Sequence, residues 1–338
     1  MKFESVSKLR DAKEYLKNIK EKSLVIYSVT SVEKNNIDLR NKYLDKINTK
    51  EITNEVEKIE EFINGKEYKN IIAIGGGTAT DIGKYISYKM NNYLINIPTM
   101  LSTDAYATNK VTLYKDGIKR TMDSKIPDLI LFDEEIIGNS KVENLFGLVD
   151  VLSIYTALTD WDIAMRENYE KTDSIKISAR RLLNRTINYI LNNSYEDIVN
   201  NSKEIFYLVG KAGEITNKYG CGKPESGSEH IYAKELEGMV RIPHALAVSN
   251  GILVMSIAQG KYNDDIYKCL SKLNIFSKYN EYGLKIKDVK LAFYNLKPRE
   301  DRYSVVNKLY LDKDRMNNVY DEFERIVGEY YVDYKRFL

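Results

Sequence analysis

The sequence predicts an α/β lobe followed by an all-helical lobe. Two observations lead to this fold class. Short apolar runs of the buried-strand type alternate with helical patterns as far as residue 138, and beyond that point strand-like runs nearly vanish. Alternation with short links is typical of a parallel sheet built from βαβ units. We therefore predict an α/β domain at 1–138 and a helical domain at 139–338, which pack closely around a cleft.

Length and composition support two domains and exclude several classes of protein. The chain has 338 residues, and domains usually contain about 100–200. Its 51 Lys and Arg balance 49 Asp and Glu, which argues against a nucleic-acid-binding protein. We expect no secretory signal, since the N-terminus is charged throughout, and no membrane span, since no run reaches about 18 apolar residues. Only Cys221 and Cys269 are present, which suits the reducing cytoplasm.

Apolar periodicity places the individual elements in order. Buried strands are predicted at 23–27, 70–74, 93–97 and 129–132, with a hairpin of 111–114 and 119–122 around Asp116-Gly117. Helices are predicted at 50–63, 80–90, 147–158, 174–191, 202–216, 245–258 and 316–331.

A glycine-rich turn joins the strand at 70–74 to the helix at 80–90. It contains Gly75, Gly76 and Gly77. Glycine has no Cβ, so the backbone can come close to a ligand, and a helix start favours an anion. We interpret the turn as a pyrophosphate cradle for a dinucleotide, with an ordinary tight βα turn as the alternative. Asp81 follows in the predicted helix and is expected to contact the nucleotide or to cap the helix.

A polar loop, 98–110, follows the strand at 93–97. Open α/β sheets bind ligands at the carboxyl ends of their strands. Its hydroxyls and amides are therefore candidates for holding ribose or nicotinamide, and Asp104 and Lys110 for meeting a polar substrate. The alternative is a surface loop with solvated charges.

The chain has only two histidines, His230 and His244, which lie 14 residues apart. Each is predicted at a helix start, with Ser228 as the N-cap of the first helix. Asp150 is predicted in the first turns of the apolar helix at 147–158, where a lone carboxylate is costly unless it is paired or metal-bound. Together they would form a His₂-carboxylate metal site with an open position. Capping or packing histidines, and an aspartate stabilised by the helix dipole, are the alternatives.

These motifs, in this order, resemble the superfamily of iron-containing alcohol dehydrogenases, glycerol dehydrogenases and dehydroquinate synthases, and within it the sn-glycerol-1-phosphate dehydrogenases. The resemblance covers about residues 70–310 and rests on these stretches: IGGGTATDIGKYISYK (74–89), INIPTMLSTDAYAT (95–108), GLVDVLSIYTALTDWDIA (147–164), SGSEH (226–230) and PHALAVSNG (243–251). It implies the dehydroquinate synthase-like fold, in which a Rossmann-like lobe precedes a helical lobe that binds metal and substrate.

The resemblance also implies NAD or NADP, one divalent metal (Zn²⁺ as first choice, Fe²⁺ as second) and specific residue roles. Cofactor contacts would come from Gly75, Gly76, Gly77, Asp81, Thr99, Ser102 and Thr108. The metal ligands would be Asp150, His230 and His244, and Asp104 would contact substrate. Lys234 stands where the glycerol phosphate enzymes carry a histidine, at i+4 on the face of His230, and we predict that it orients substrate.

The expected activity is a metal-dependent, NAD(P)-linked interconversion of secondary alcohol and ketone on a small polyol or polyol phosphate, such as sn-glycerol 1-phosphate and dihydroxyacetone phosphate. A homo-oligomer is expected. Three alternatives stay open: a glycerol dehydrogenase or iron-type alcohol dehydrogenase, a dehydroquinate synthase-like cyclase, and a non-catalytic nucleotide-binding relative. Lys110, six residues after Asp104, matches a spacing seen in the synthases, whereas Asp150 stands where the synthases use Glu.

Overall fold

A six-stranded parallel sheet organises the N-terminal half of the chain. The computed structural model describes residue 5 and residues 7–330. The sheet has the order β1-β8-β5-β4-β2-β3, and β6 and β7 pair separately as an antiparallel hairpin. The strands are β1 (Ser7–Leu9), β2 (Ser23–Tyr27), β3 (Leu44–Asn48), β4 (Asn70–Gly75), β5 (Tyr93–Pro98), β6 (Lys110–Lys115), β7 (Ile118–Asp123) and β8 (Leu129–Phe132).

Helices cover the sheet and make up most of the remaining chain. In chain order they are α1 (Ala12–Lys17), α2 (Val29–Lys34), α3 (Val56–Ile63), α4 (Gly77–Met90), α5 (Glu134–Gly138), α6 (Lys141–Leu152), α7 (Ile154–Arg166), α8 (Ile175–Asn192), α9 (Tyr195–Asn200), α10 (Ser202–Tyr219), α11 (Ser228–Met239), α12 (His244–Ala258), α13 (Asp264–Lys272), α14 (Ile275–Glu281), α15 (Ile286–Tyr294), α16 (Val305–Leu309) and α17 (Lys313–Tyr330).

The chain divides into two compact units. The first comprises the residues up to 147 together with 199–217, and the second comprises 148–198 and the residues from 218 onward. The α/β sheet lies in the first unit, and the second is helical. The predicted division of the sequence at residue 138 stays a prediction. The predicted fold class is confirmed, since a parallel α/β half precedes a helical half.

The sheet is buried on both faces, as parallel sheets usually are. Alternate residues of β4 enter opposite apolar clusters: Ile72 and Ile74 join one, and Ile71 joins the other together with Ile82 of α4. β4 and β5 run in register, with Gly75 opposite Pro98. The glycine turn and the polar loop therefore leave the sheet at the same edge.

The structure confirms the predicted inner strands and the hairpin and adds two strands that were missed. β1 is only three residues long, and β3 (LDKIN) is an edge strand with two exposed charged residues, so neither shows an apolar run. The predicted helix at 50–63 is wrong in its first half. Thr53 has a φ of 55°, Glu55 bridges to Tyr114, and α3 begins only at Val56.

The helical predictions hold for 174–191, 202–216, 245–258 and 316–331 within a few residues, although residue 331 lies outside the described part. The predicted helix at 147–158 is present but begins earlier, at Lys141. It passes from α6 to α7 through Ser153, which has a helical φ of −62° and ψ of −19° and donates its N–H to the carbonyl of Val149 at 3.1 Å. The Ser153 hydroxyl lies 2.6 Å from the carbonyl oxygens of both Asp150 and Glu225. Asp150 therefore lies in the last turn of α6 and not in the first turns of a helix.

One stretch of the described chain, 141–166, is long and apolar enough to cross a membrane by length and composition. It consists of α6 and α7, and 72% of its apolar window is buried inside the protein. Burial of this kind is also a property of core helices.

Candidate metal centre and nucleotide turn

Three side chains from distant parts of the sequence meet in the helical unit. Asp150 comes from the end of α6, His230 from the first turn of α11 and His244 from the first residue of α12. One ligand atom from each lies within 4.8 Å of the others. The two imidazole rings are 5.2 Å apart between centroids, and Nε2 of His244 lies 3.9 Å from Oδ1 of Asp150. The structure therefore brings together all three predicted metal ligands.

Close packing of α11 against α12 positions the two histidines. A Cβ on Gly251 would come within 2.5 Å of the carbonyl oxygen of Glu229, so only glycine permits this approach. The predicted N-cap role of Ser228 is wrong, because Gly227 is the N-cap of α11. Ser228 instead donates its backbone N–H to the buried carboxylate of Asp160, at 2.6 Å, which fixes the start of the helix.

Two carboxylates that the sequence analysis missed lie behind the histidines. Oε1 of Glu229 is 2.7 Å from Nδ1 of His230, and Oε1 of Glu237 is 2.5 Å from Nδ1 of His244. Burial alone raises the pKa of Glu229, but the hydrogen bond and charge of His230 outweigh it, so the pKa is lowered. Helical spacing could have identified Glu237, because it stands seven residues after His230 on the same helix and so on the same face.

The carboxylate of Asp150 lies beside both histidines and is largely withdrawn from solvent. Burial raises the pKa of Asp150, while the charges of His244 and His230 oppose the increase. Its Oδ1 atom is buried and makes no hydrogen bond to any residue in the described ranges. A buried carboxylate oxygen without a partner is costly. One carboxylate and two imidazoles are a donor set that suits Zn²⁺ or Fe²⁺, so the residues fit such an ion.

The glycine turn of the α/β unit is shaped by steric constraints at its first residue. Gly75 has a φ of +150°, and a Cβ there would lie 2.9 Å from the Cβ of Ala79. Helix α4 begins at Gly77, where a Cβ would meet only Oγ1 of Thr103, at 3.5 Å. A 14-residue helix thus presents its N-terminus, through glycines, at the carboxyl edge of the sheet.

Asp81 does not cap α4, which was one of its two predicted roles. Its carboxylate accepts the backbone N–H of Thr112 at 3.0 Å and lies 3.4 Å from the ammonium of Lys84. Lys84, also missed by the sequence analysis, is fully buried and donates to three carbonyls of the polar loop: those of Ala105 (2.8 Å), Thr108 (3.1 Å) and Lys110 (2.5 Å). Burial raises the pKa of Asp81 and lowers that of Lys84, and their mutual attraction opposes both shifts.

The other predicted residues of the α/β unit lie in or beside the polar loop. Thr99 is buried and donates its hydroxyl to Oγ of Ser31 at 2.9 Å. Ser102 is half-buried, and the hydroxyl of Thr108 accepts the N–H of Lys110 at 3.2 Å. Asp104 opens a short 3₁₀ turn and packs against Gly213 of α10. Their contacts with cofactor or substrate stay predictions.

Two lysines singled out by the sequence analysis have different surroundings. The ammonium of Lys110 forms an ion pair with Asp123 across the β6–β7 hairpin. Lys234 is exposed on α11, four residues after His230. Its predicted contact with substrate stays a prediction.

Comparison with known proteins agrees with this architecture. Residues 7–140 match the family model described as iron-containing alcohol dehydrogenase. A glycerol-1-phosphate dehydrogenase (NAD(P)+) of Methanococcus maripaludis strain C7 is 30% identical over 228 residues, which are 67% of this chain and 64% of that protein. One of Methanosarcina barkeri strain Fusaro is 24% identical over 258 residues, 75% of this chain and 72% of that protein.

Solved structures with the same fold are more distant in sequence. A probable glycerol dehydrogenase from Sinorhizobium meliloti 1021 superposes with a TM-score of 0.64 at 14% identity, covering 96% of this chain and 97% of that one. An iron-containing alcohol dehydrogenase from Thermotoga maritima gives a TM-score of 0.59 at 14% identity, covering 92% and 94%.

These comparisons agree with the resemblance found in the motifs: residues 7–140 match the iron-containing alcohol dehydrogenase model, and the chain has the fold of solved proteins of that kind. Its relatives described above by sequence are glycerol-1-phosphate dehydrogenases. The match spans just under two thirds of the length of the Methanococcus maripaludis protein.

Proposed function

We propose that this chain is a metal-dependent, NAD(P)-linked dehydrogenase that interconverts sn-glycerol 1-phosphate and dihydroxyacetone phosphate. The observation that carries the proposal is the convergence of Asp150, His230 and His244, with one carboxylate oxygen that is buried and makes no hydrogen bond to the described part of the chain. The names of the relatives by sequence support the choice of substrate.

The cluster is proposed to hold one divalent ion, Zn²⁺ first and Fe²⁺ second. Such an ion, when bound, polarises the substrate oxygen and lowers the pKa of an alcohol hydroxyl. Asp150 contributes negative charge, and the two imidazoles contribute neutral donors. With only these three protein ligands, a bound ion could also accept the substrate oxygen.

The nucleotide is proposed to bind the α/β unit. The N–H groups at the start of α4 favour an anion, and Gly76 and Gly77 let a pyrophosphate approach the main chain. Thr99, Ser102 and Thr108 are proposed to contact the ribose or nicotinamide of NAD or NADP. The nicotinamide carries the hydride, and the protein supplies position and charge.

Substrate orientation is proposed to come from Asp104 and Lys234. Lys234 shares a helix face with His230, so its ammonium is a suitable partner for a phosphate. A cytoplasmic location and a homo-oligomer also stay predictions. Lys110, whose spacing kept a dehydroquinate synthase-like cyclase open, is paired with Asp123, so no observation favours that alternative.

Oxidation of NADH and NADPH by the purified chain tests the proposal. The chain is loaded with Zn²⁺ or Fe²⁺ and offered dihydroxyacetone phosphate, dihydroxyacetone or simple ketones. Turnover with the phosphate alone supports it. Equal turnover with dihydroxyacetone would assign a glycerol dehydrogenase, and no oxidation under any condition would refute the dehydrogenase activity.

A further inference from the structure

We propose that Glu229 and Glu237 are positioning residues that hold the two histidines with Nε2 directed at the metal ion. The inference deepens the proposed function and rests on it. Each carboxylate contacts the Nδ1 atom of one histidine, so the metal site has two supported imidazoles and one carboxylate ligand.

Glu229 is held rigidly where it meets His230. Its side chain is fully buried, and the same Oε1 atom that lies 2.7 Å from Nδ1 accepts the backbone N–H of Gly227 at 2.5 Å. A Cβ on Gly227 would come within 2.9 Å of the second oxygen, Oε2, so the glycine leaves room for this carboxylate. The position of His230 is therefore defined by the main chain at the start of α11.

Glu237 performs the same task across two helices. It lies seven residues after His230, which places both on one face of α11, and it reaches the first residue of α12. Its Oε1 is 2.5 Å from Nδ1 of His244, while Nε2 of the same ring faces Oδ1 of Asp150 at 3.9 Å. The carboxylate thus joins the two helices that carry the histidines.

The two contacts define the tautomer of each ring. A neutral imidazole has one N–H and one lone pair, and a carboxylate that faces Nδ1 selects the N–H there. The lone pair then remains on Nε2, where a metal can bind it. A carboxylate behind a ligating histidine also raises the basicity of the ligand and limits rotation of the ring.

The test is the affinity of the metal-free chain for Zn²⁺, measured by competition with a chelator, in Glu229→Gln and Glu237→Gln. Glu235→Gln is the matched control, because Glu235 is on α11 between the two and has no histidine contact among those described. We expect each test variant to weaken Zn²⁺ binding by about 10–100-fold, the usual effect of losing such a partner, and the control to bind as the unaltered chain does. Co²⁺ absorption spectra should change in the test variants only.

The outcomes separate this inference from the proposed function. If the unaltered chain binds neither Zn²⁺ nor Fe²⁺, the proposed function fails, and this inference fails with it. If the unaltered chain binds Zn²⁺ and both test variants match Glu235→Gln, the positioning role is wrong although the metal site stands. Should buried Glu229→Gln not fold, Glu237→Gln decides alone, since its side chain is partly exposed. Glu237→Asp, which keeps the charge, should recover part of the affinity, whereas a purely structural role predicts no such recovery.

Discussion

The glycine turn and the metal cluster are built in opposite ways. The turn consists of main chain from three consecutive residues, Gly75–Gly77, and its shape depends on the absence of a Cβ. The cluster consists of side chains 80 and 14 residues apart in sequence, and its two histidines are each contacted by a carboxylate. Adding one atom should therefore damage the turn, and removing a few atoms should damage the cluster.

Removal of a cluster ligand should have the largest effect. In His244→Ala the site keeps one imidazole and Asp150, so we expect Zn²⁺ affinity to fall by more than about 100-fold, beyond what loss of a supporting partner causes, with turnover lost as well. Bound metal after gel filtration and NAD(P)H oxidation are measured on the same sample, with Glu235→Gln as control. Normal turnover by His244→Ala with no metal bound would refute the metal site.

In the α/β unit, the polar loop 98–110 depends on Lys84. Lys84→Met should lower the free energy of unfolding by about 3–5 kcal/mol, because it removes the donor to three loop carbonyls and the ammonium that lies 3.4 Å from the carboxylate of Asp81. Urea unfolding measures the change.

Lys89→Met is the matched control for Lys84→Met, on the same helix. Its ammonium forms a half-exposed pair with Glu60, and such pairs contribute about 0–1 kcal/mol. Equal loss in the two variants would show that the polar loop does not depend on Lys84.

Asp160 is expected to make the stability of the protein depend on pH. Burial, together with the charge of Glu229, raises the pKa of Asp160 to about 6, above the 3.8 usual for an aspartate. Because the folded state binds the proton more tightly than the unfolded state, the contribution of this group to stability is largest below pH 4 and is lost as pH rises through 6. The loss is at most about 3 kcal/mol.

Asp160→Asn tests this dependence. The variant should lack this part of the pH dependence when urea unfolding is followed between pH 4 and 7. An identical pH profile in both proteins would contradict the assignment.

The sequence predicted the turn better than it predicted the cluster's surroundings, for physical reasons. Apolar runs identify buried strands such as β4, and glycines after a strand indicate a turn, because both signals are local. The edge strand β3 has no apolar run, and the helix that carries Asp150 begins at Lys141, before its apolar run, so both were misread. Glu237 acts on a residue of the next helix, and that contact exists only after α11 and α12 pack.

The smallest changes in stability are predicted for two glycine variants of the turn, which distinguish a glycine needed for the fold from one needed for nucleotide binding. Gly75→Ala forces a side chain into a φ of +150° and within 2.9 Å of Ala79, so unfolding should become easier by about 1–3 kcal/mol. Gly77→Ala meets only ordinary contact, so its stability should change by less than about 0.5 kcal/mol. If a pyrophosphate approaches the main chain here, Gly77→Ala should nevertheless bind NAD(P)H more weakly in a fluorescence titration. Unchanged affinity in this stably folded variant would mean that the segment is an ordinary βα turn and that the nucleotide binds elsewhere.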